Sequence, residues 1–271
     1  MRRRPCTAAD PGNRLPSPAV AAPWSHSLSL SWPPQVAFFD LRTRILESLQ
    51  AAGLLSAFRW TEAGSISGRL GPAEVIEVSS GGGRLGLVGP GARLSEAKKA
   101  LSVVLGVLAP PHLTFNGLLL QYLEPIAMTY DDARMRSGVT MVGPALPSLE
   151  TTDWAYWVDG RSPQDGLPFW LECGIINAAE APARVGRRTG RFRGDWGSIP
   201  AELIDRPDYP PCAFFADWRW IVNRRIGEED LPALLFDMWD GLVSRSDQAV
   251  AEAIATALPV NDDIQLRGGV R

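Results

Sequence analysis

Ala213–Val222 is the stretch that most limits what this chain folds into. Side chains alternate across a strand, so Phe214, Ala216, Trp218, Trp220 and Val222 share one face, with Asp217 and Arg219 on the other. A face that apolar is stable only when something covers it. The expected cover follows directly, as a helix from about Glu228 to Leu258. Leu231, Leu234, Leu235, Met238, Leu242, Ala249, Ala253 and Ile254 form its apolar stripe, with Trp239 at the edge. Glu228, Glu229 and Asp230 suit the positive end of the helix dipole, and Pro232 suits its first turn. Asp217 and Arg219, on the uncovered face, are expected to form a surface ion pair.

The same pattern recurs upstream. Leu28–Trp32 alternates as a short strand, and Pro33-Pro34 is expected to open a helix carrying Phe38, Leu41, Ile45 and Leu49 to a stop at Gly53. Strands are predicted around Phe58–Trp60, Val75–Val78 and Leu85–Val88. A helix then begins near Ser95, facing Leu101, Val104, Leu105 and Leu108 inward until Pro110-Pro111. Further strands are expected over Phe115–Met128, Val139–Val142, Trp154–Val158 and Phe169–Ile176. The fold class is therefore α+β: mainly antiparallel sheet covered by a few helices, with a long C-terminal helix. Helices flank strands in both halves, as a distant duplication would produce.

Residues 1–26 are expected to be a disordered leader, since Pro5, Pro11, Pro16, Pro18 and Pro23 interrupt any apolar core that an export signal would need. One domain is expected over 27–258, with a possible internal boundary at 143–152 and a frayed tail from 259 to 271. No stretch has the roughly 18–20 apolar residues that cross a bilayer, so no membrane partner is expected. Cys6, Cys173 and Cys212 are odd in number, far apart and without a C-x-x-C, which fits neither a disulfide framework nor zinc and points to the cytoplasm. A formal charge of −3 gives no overall reason to expect nucleic acid.

The order of elements resembles a sporadically distributed family of bacterial proteins known mainly as conserved hypotheticals. It is carried by the opening strand and helix, the long strand around Gln121-Tyr122-Leu123-Glu124, the alternating strand with Asp217 and the long last helix. That family tends to show Arg-Tyr-hydrophobic-Asn where this chain has Gln121-Tyr122-Leu123-Glu124. The resemblance would span residues 27–258 and implies the α+β architecture, but no activity or cofactor.

Few residues offer chemistry. Gly81-Gly82-Gly83-Arg84-Leu85-Gly86 matches G-x-G-x-x-G, but a strand and not a helix follows it, so it reads as a hairpin connection. Only His26 and His112 exist, and no G-x-S-x-G elbow partners them, so neither a histidine-based triad nor a histidine metal site is expected. Among carboxylates, Glu172 and Asp217 are the candidates for acid–base work. Arg184, Arg187, Arg188, Arg191 and Arg193, interleaved with Gly186, Gly190 and Phe192 and followed by Trp196, form a basic run suited to phosphates or an acidic protein surface. Trp157 points away from Trp154 and Tyr156 on its strand, so one of the two faces should meet solvent, a ligand or a partner. The leading expectation is a non-enzymatic cytosolic binding protein whose partner is a protein, with no cofactor and no metal. A carboxylate-dependent enzyme and a nucleic-acid binder using 184–193 are the alternatives.

Overall fold

The computed structural model describes residues 21–60, 64–72, 74–89, 93–141, 155–185 and 209–259. Its strands are β1 Ser25–Ser31, β2 Ala57–Trp60, β3 Ile66–Arg69, β4 Glu74–Ser79, β5 Gly82–Val88, β6 His112–Pro125, β7 Ala155–Arg161, β8 Pro168–Asn177 and β9 Cys212–Gly227. The helices are α1 Phe38–Ala51, α2 Leu94–Leu108, α3 Tyr130–Met141, α4 Ala181–Val185 and α5 Ala233–Ala257. All strands join in one nine-stranded antiparallel sheet of order β2-β3-β4-β5-β1-β6-β9-β8-β7. The fold is α+β, with the long helix last.

That order falls into two halves about the β1–β6 pair. Each half runs strand, helix, a set of antiparallel strands whose last member returns beside the first, then a second helix. The first half connects its last two strands by the tight Ser79–Gly82 hairpin, as expected from the glycine run. The second replaces that hairpin with α4 and a long connection before β9.

One face of the sheet packs on the helices. Leu28, Leu85, Leu118, Phe214, Trp218 and Trp220 meet Ile45, Leu49, Leu101, Leu105, Leu235 and Trp239 in the main core. Each such fully buried side chain contributes roughly 1.5–3 kcal/mol of transfer free energy. α5 covers β9 as the alternation requires: the Trp220 indole N–H donates to Ser246 Oγ at 2.8 Å, and Trp218 stacks on Phe169 with ring centroids 4.8 Å apart. A smaller cluster on the other face gathers Val88, Leu123, Ile176, Ala181, Val185, Tyr209, Ala213 and Phe215.

Several expectations are corrected. Val139 lies in helix α3, not in a strand; the segment presents Ala133, Ser137 and Gly138 inward, a small-residue helical contact that apolar runs do not reveal. The ordered fold also starts earlier than residue 27. Ser25 and His26 belong to β1, Trp24 stacks on Tyr209 at 5.5 Å, and the backbone of Trp24 bonds both Gln121 and Gly89. Proline density masked this strand because the run of buried residues there is polar. Glu228–Asp230 forms a separate 3-10 turn before α5. The expected boundary at 143–152, residues 1–20 and residues 260–271 lie outside the described residues. No helix among the described residues is long and apolar enough to cross a membrane.

Candidate functional site

Sheet register aligns one row of side chains across five strands on the face away from the main core. Trp157 pairs with Glu172, Glu172 with Asp217, Asp217 with Gln121, and Gln121 with Ser25. The two carboxylates singled out from sequence are thus direct cross-strand neighbours. Two residues along β9, Trp170 pairs with Arg219.

Each acid is held by an arginine. Arg184, near the end of α4, donates through Nη1 to Glu172 Oε1 at 2.6 Å, and Arg219 Nη2 donates to Asp217 Oδ2 at 3.2 Å. Both guanidiniums also lie over aromatic rings, Arg219 over Trp170 at 4.9 Å and Arg184 over Phe215 at 4.8 Å from the centroid. Gln121 closes the row. Its Oε1 accepts from Ser25 Oγ at 2.6 Å, and its Nε2 donates to the Arg184 carbonyl at 3.3 Å, tying α4 to the sheet.

The expected surface pair is therefore wrong. Asp217 is 3% exposed and Arg219 9%, so the pair is interior. Alternation correctly put both side chains opposite Trp218, but it does not reveal that a second layer covers that face as well. Burial pushes the Asp217 carboxyl up to about 6; Arg219 pulls it back down and the Glu172 charge pushes it further up. Its Oδ1 makes no hydrogen bond among the described residues.

Trp157 sits on the edge strand β7, 46% exposed, with its ring edge-on to Trp170 at 5.7 Å; Tyr156 on the opposite face is 45% exposed. Arg187, Arg188, Arg191, Phe192, Arg193 and Trp196 lie outside the described residues. The chain on either side of them is anchored on this face, by Val185 before and Tyr209 after, both buried in the smaller cluster. Sequence reasoning missed Gln121, Ser25 and Trp170 as members of the row. Only strand register brings them together, and single-sequence patterns do not carry register.

The described cysteines and histidines are not part of this row. Cys173 and Cys212 are buried and free, with burial pushing the Cys173 thiol up to about 12 and raising that of Cys212. His26 is buried, which lowers it to about 4, while His112 meets Arg225 at 3.0 Å. Among the described residues no group of three or more His, Cys, Asp or Glu is placed to hold a metal. No family model matches this sequence, and no curated protein matches it.

Proposed function

We propose that the protein is a binding protein that recognises an acidic protein surface with the β7–β8–β9 end of its outer face. Trp157 and the basic segment from Arg184 through Arg193, with Phe192 and Trp196, would make the contact. The supporting observation is the contrast within the polar row. Glu172 and Asp217 are each neutralised by an arginine braced on an aromatic ring, whereas Trp157 beside them is half-exposed on the outermost strand of the described sheet. An ion-paired, buried carboxylate is a poor proton acceptor for an external substrate. An exposed tryptophan next to arginines has the composition of an interface hot spot. The cytoplasm, where free cysteines persist, would be its setting.

The test is affinity purification from the native cell with the wild-type chain, Trp157→Ala and Arg187→Glu/Arg188→Glu. Loss of the same acidic protein by both folded variants is expected. Retention of that protein by both variants, or its replacement by nuclease-sensitive material, would remove this reading; the latter outcome would favour nucleic acid.

One observation favours a carboxylate-dependent enzyme as a second reading: the Asp217 carboxyl, raised to about 6 beside Glu172, is the kind of perturbed pair that acid–base sites use. Turnover abolished by Asp217→Asn in a folded protein would establish it.

A further inference from the structure

Asp217 and Glu172 are cross-strand partners, so their carboxylates share one patch with Arg184 and Arg219. With both acids ionised, these four charges sum to zero. Three observations mark Asp217 as the member that takes up a proton. Its side chain is 4% exposed, against 17% for that of Glu172. Its ion pair is the longer one, 3.2 Å against 2.6 Å. Only its Oδ2 meets an arginine; Oδ1 is buried and accepts no hydrogen bond among the described residues, which leaves that oxygen free to carry a proton.

Burial raises the Asp217 carboxyl to about 6. Of the groups facing it, Arg219 on its own strand and Gln121 from β6 favour the ionised form, and Glu172 from β8 opposes it. Arg184 reaches the same patch from α4 through Glu172. Protonation of Asp217 therefore changes the charge of the patch by one unit. That change is felt at the surface. Trp157 lies two strands from Asp217, about 10 Å at the usual strand spacing, which is about one Debye length at 0.1 M salt. The Arg184 side chain, 29% exposed, carries the patch out to solvent.

We propose that the polar row is a proton-operated control on the surface beside it: with a proton on Asp217 the row gains one positive charge, and an acidic partner binds more tightly. The control rests on the reading of that surface as a site for acidic proteins. Its sign follows from linkage. The partner favours the protonated form, so its affinity is highest below about pH 6 and falls as pH rises through that value. Other titrating groups lie elsewhere. Asp247, raised to about 6 by burial, bonds Tyr122 on the helix-bearing face, where His26, lowered to about 4, also sits. His112 begins β6, about 30 Å along that strand from Gln121. The sheet or that distance separates each of them from the patch.

The probe is a rhodamine-labelled deca-aspartate peptide, whose carboxyls titrate near about 4 and stay ionised from about pH 5.5 to 8. Anisotropy at low salt should show the full-length wild type binding it about three- to tenfold more tightly at the acid end of that range than at the alkaline end. Asp217→Asn should hold the tighter affinity throughout, and Asp247→Asn should keep the wild-type pH dependence. Circular dichroism confirms that each variant is folded. Calorimetry near pH 6, in buffers of different ionisation enthalpy, should detect proton uptake on binding by wild type and none by Asp217→Asn. Binding that needs Trp157 but does not vary with pH overturns the control and leaves the surface standing. So does a pH dependence that survives in Asp217→Asn, or an Asp217→Asn protein fixed at the weaker affinity. A peptide that binds at no pH, or binds Trp157→Ala as well as wild type, overturns the surface and the control with it.

Discussion

Replacing Asp217 by Asn should stabilise this protein, and only above a definite pH. The folded carboxyl titrates at about 6, against the ordinary value of 3.8 for an aspartate in an open chain. Between those values the folded state holds a proton that the unfolded state has released. Stability therefore falls as pH rises through this window, and the contribution is complete below the unfolded value. A displacement of that size corresponds to about 3 kcal/mol, the price of ionising a buried carboxylate even with Arg219 at 3.2 Å. Asparagine has nearly the same shape and never ionises. Wild type and Asp217→Asn should therefore be equally stable near pH 4, with the variant ahead by up to about 3 kcal/mol near pH 8. Asp247, raised to about 6 by burial, and His26, lowered to about 4 by burial, bend the absolute curves but are common to both proteins and cancel in the difference. Urea unfolding followed by tryptophan fluorescence across that range measures it. A variant that is less stable at neutral pH, with a difference flat across the range, would refute the reasoning. Asp217 would then be ionised throughout, and its pair with Arg219 would be a net strut.

Four further outcomes are expected. Arg219→Ala should cost about 1–2 kcal/mol at neutral pH, since the acid left without its cation takes up a proton, and should cost less in the Asp217→Asn background; chemical denaturation of the double-mutant cycle checks this. Trp218→Ala should cost about 3–5 kcal/mol through the cavity left against Phe169 and Trp220, read from the shift in urea midpoint. Tyr122→Phe removes a 2.8 Å hydrogen bond to Asp247 and should cost about 1 kcal/mol by the same assay. Starting the chain at Ser27 deletes Trp24, Ser25 and His26 with their bonds to Gln121 and Gly89, and should lower the melting temperature by more than about 5 °C in calorimetry.

The elements were largely legible because apolar periodicity reports one thing well, namely which side chains point into a core. Phe214 to Val222 and the stripe from Leu234 to Leu242 specified β9, α5 and their contact. The same signal fails where packing uses small or polar residues. Ser137 and Gly138 pack α3, and Ser25 and His26 open β1, yet neither pair looks apolar. The site failed differently. Glu172 and Asp217 were identifiable as chemistry-bearing residues, but their adjacency is a matter of register between strands distant in sequence, and Gln121 and Ser25 joined them for the same reason.

The two halves of the sheet show why the burial of the site escaped a sequence reading. In the first half, Glu77 and Arg84 are cross-strand partners on the same outer face, 4.0 Å apart, and their side chains are 38% and 28% exposed. In the second half, β8 and β9 stand where β4 and β5 do, and they too carry acids and an arginine on that face. There, however, the Asp217 and Arg219 side chains are only 4% and 11% exposed. Residue type is alike in the two places and strand alternation is identical. What differs is the connection: a tight hairpin between β4 and β5, against α4 and a much longer run between β8 and β9. The part of that run that is described lies on the outer face, with Ala181 and Val185 of α4 and Tyr209 before β9 buried there, and Arg184 reaching Glu172. Long connections in compact folds are commonly where function resides. The described part of this insertion thus converts an ordinary solvated charge pair into an interior one. Arg187 to Arg193 belong to this same connection in the sequence, which is why the surface proposed for partner recognition is drawn beside the polar row.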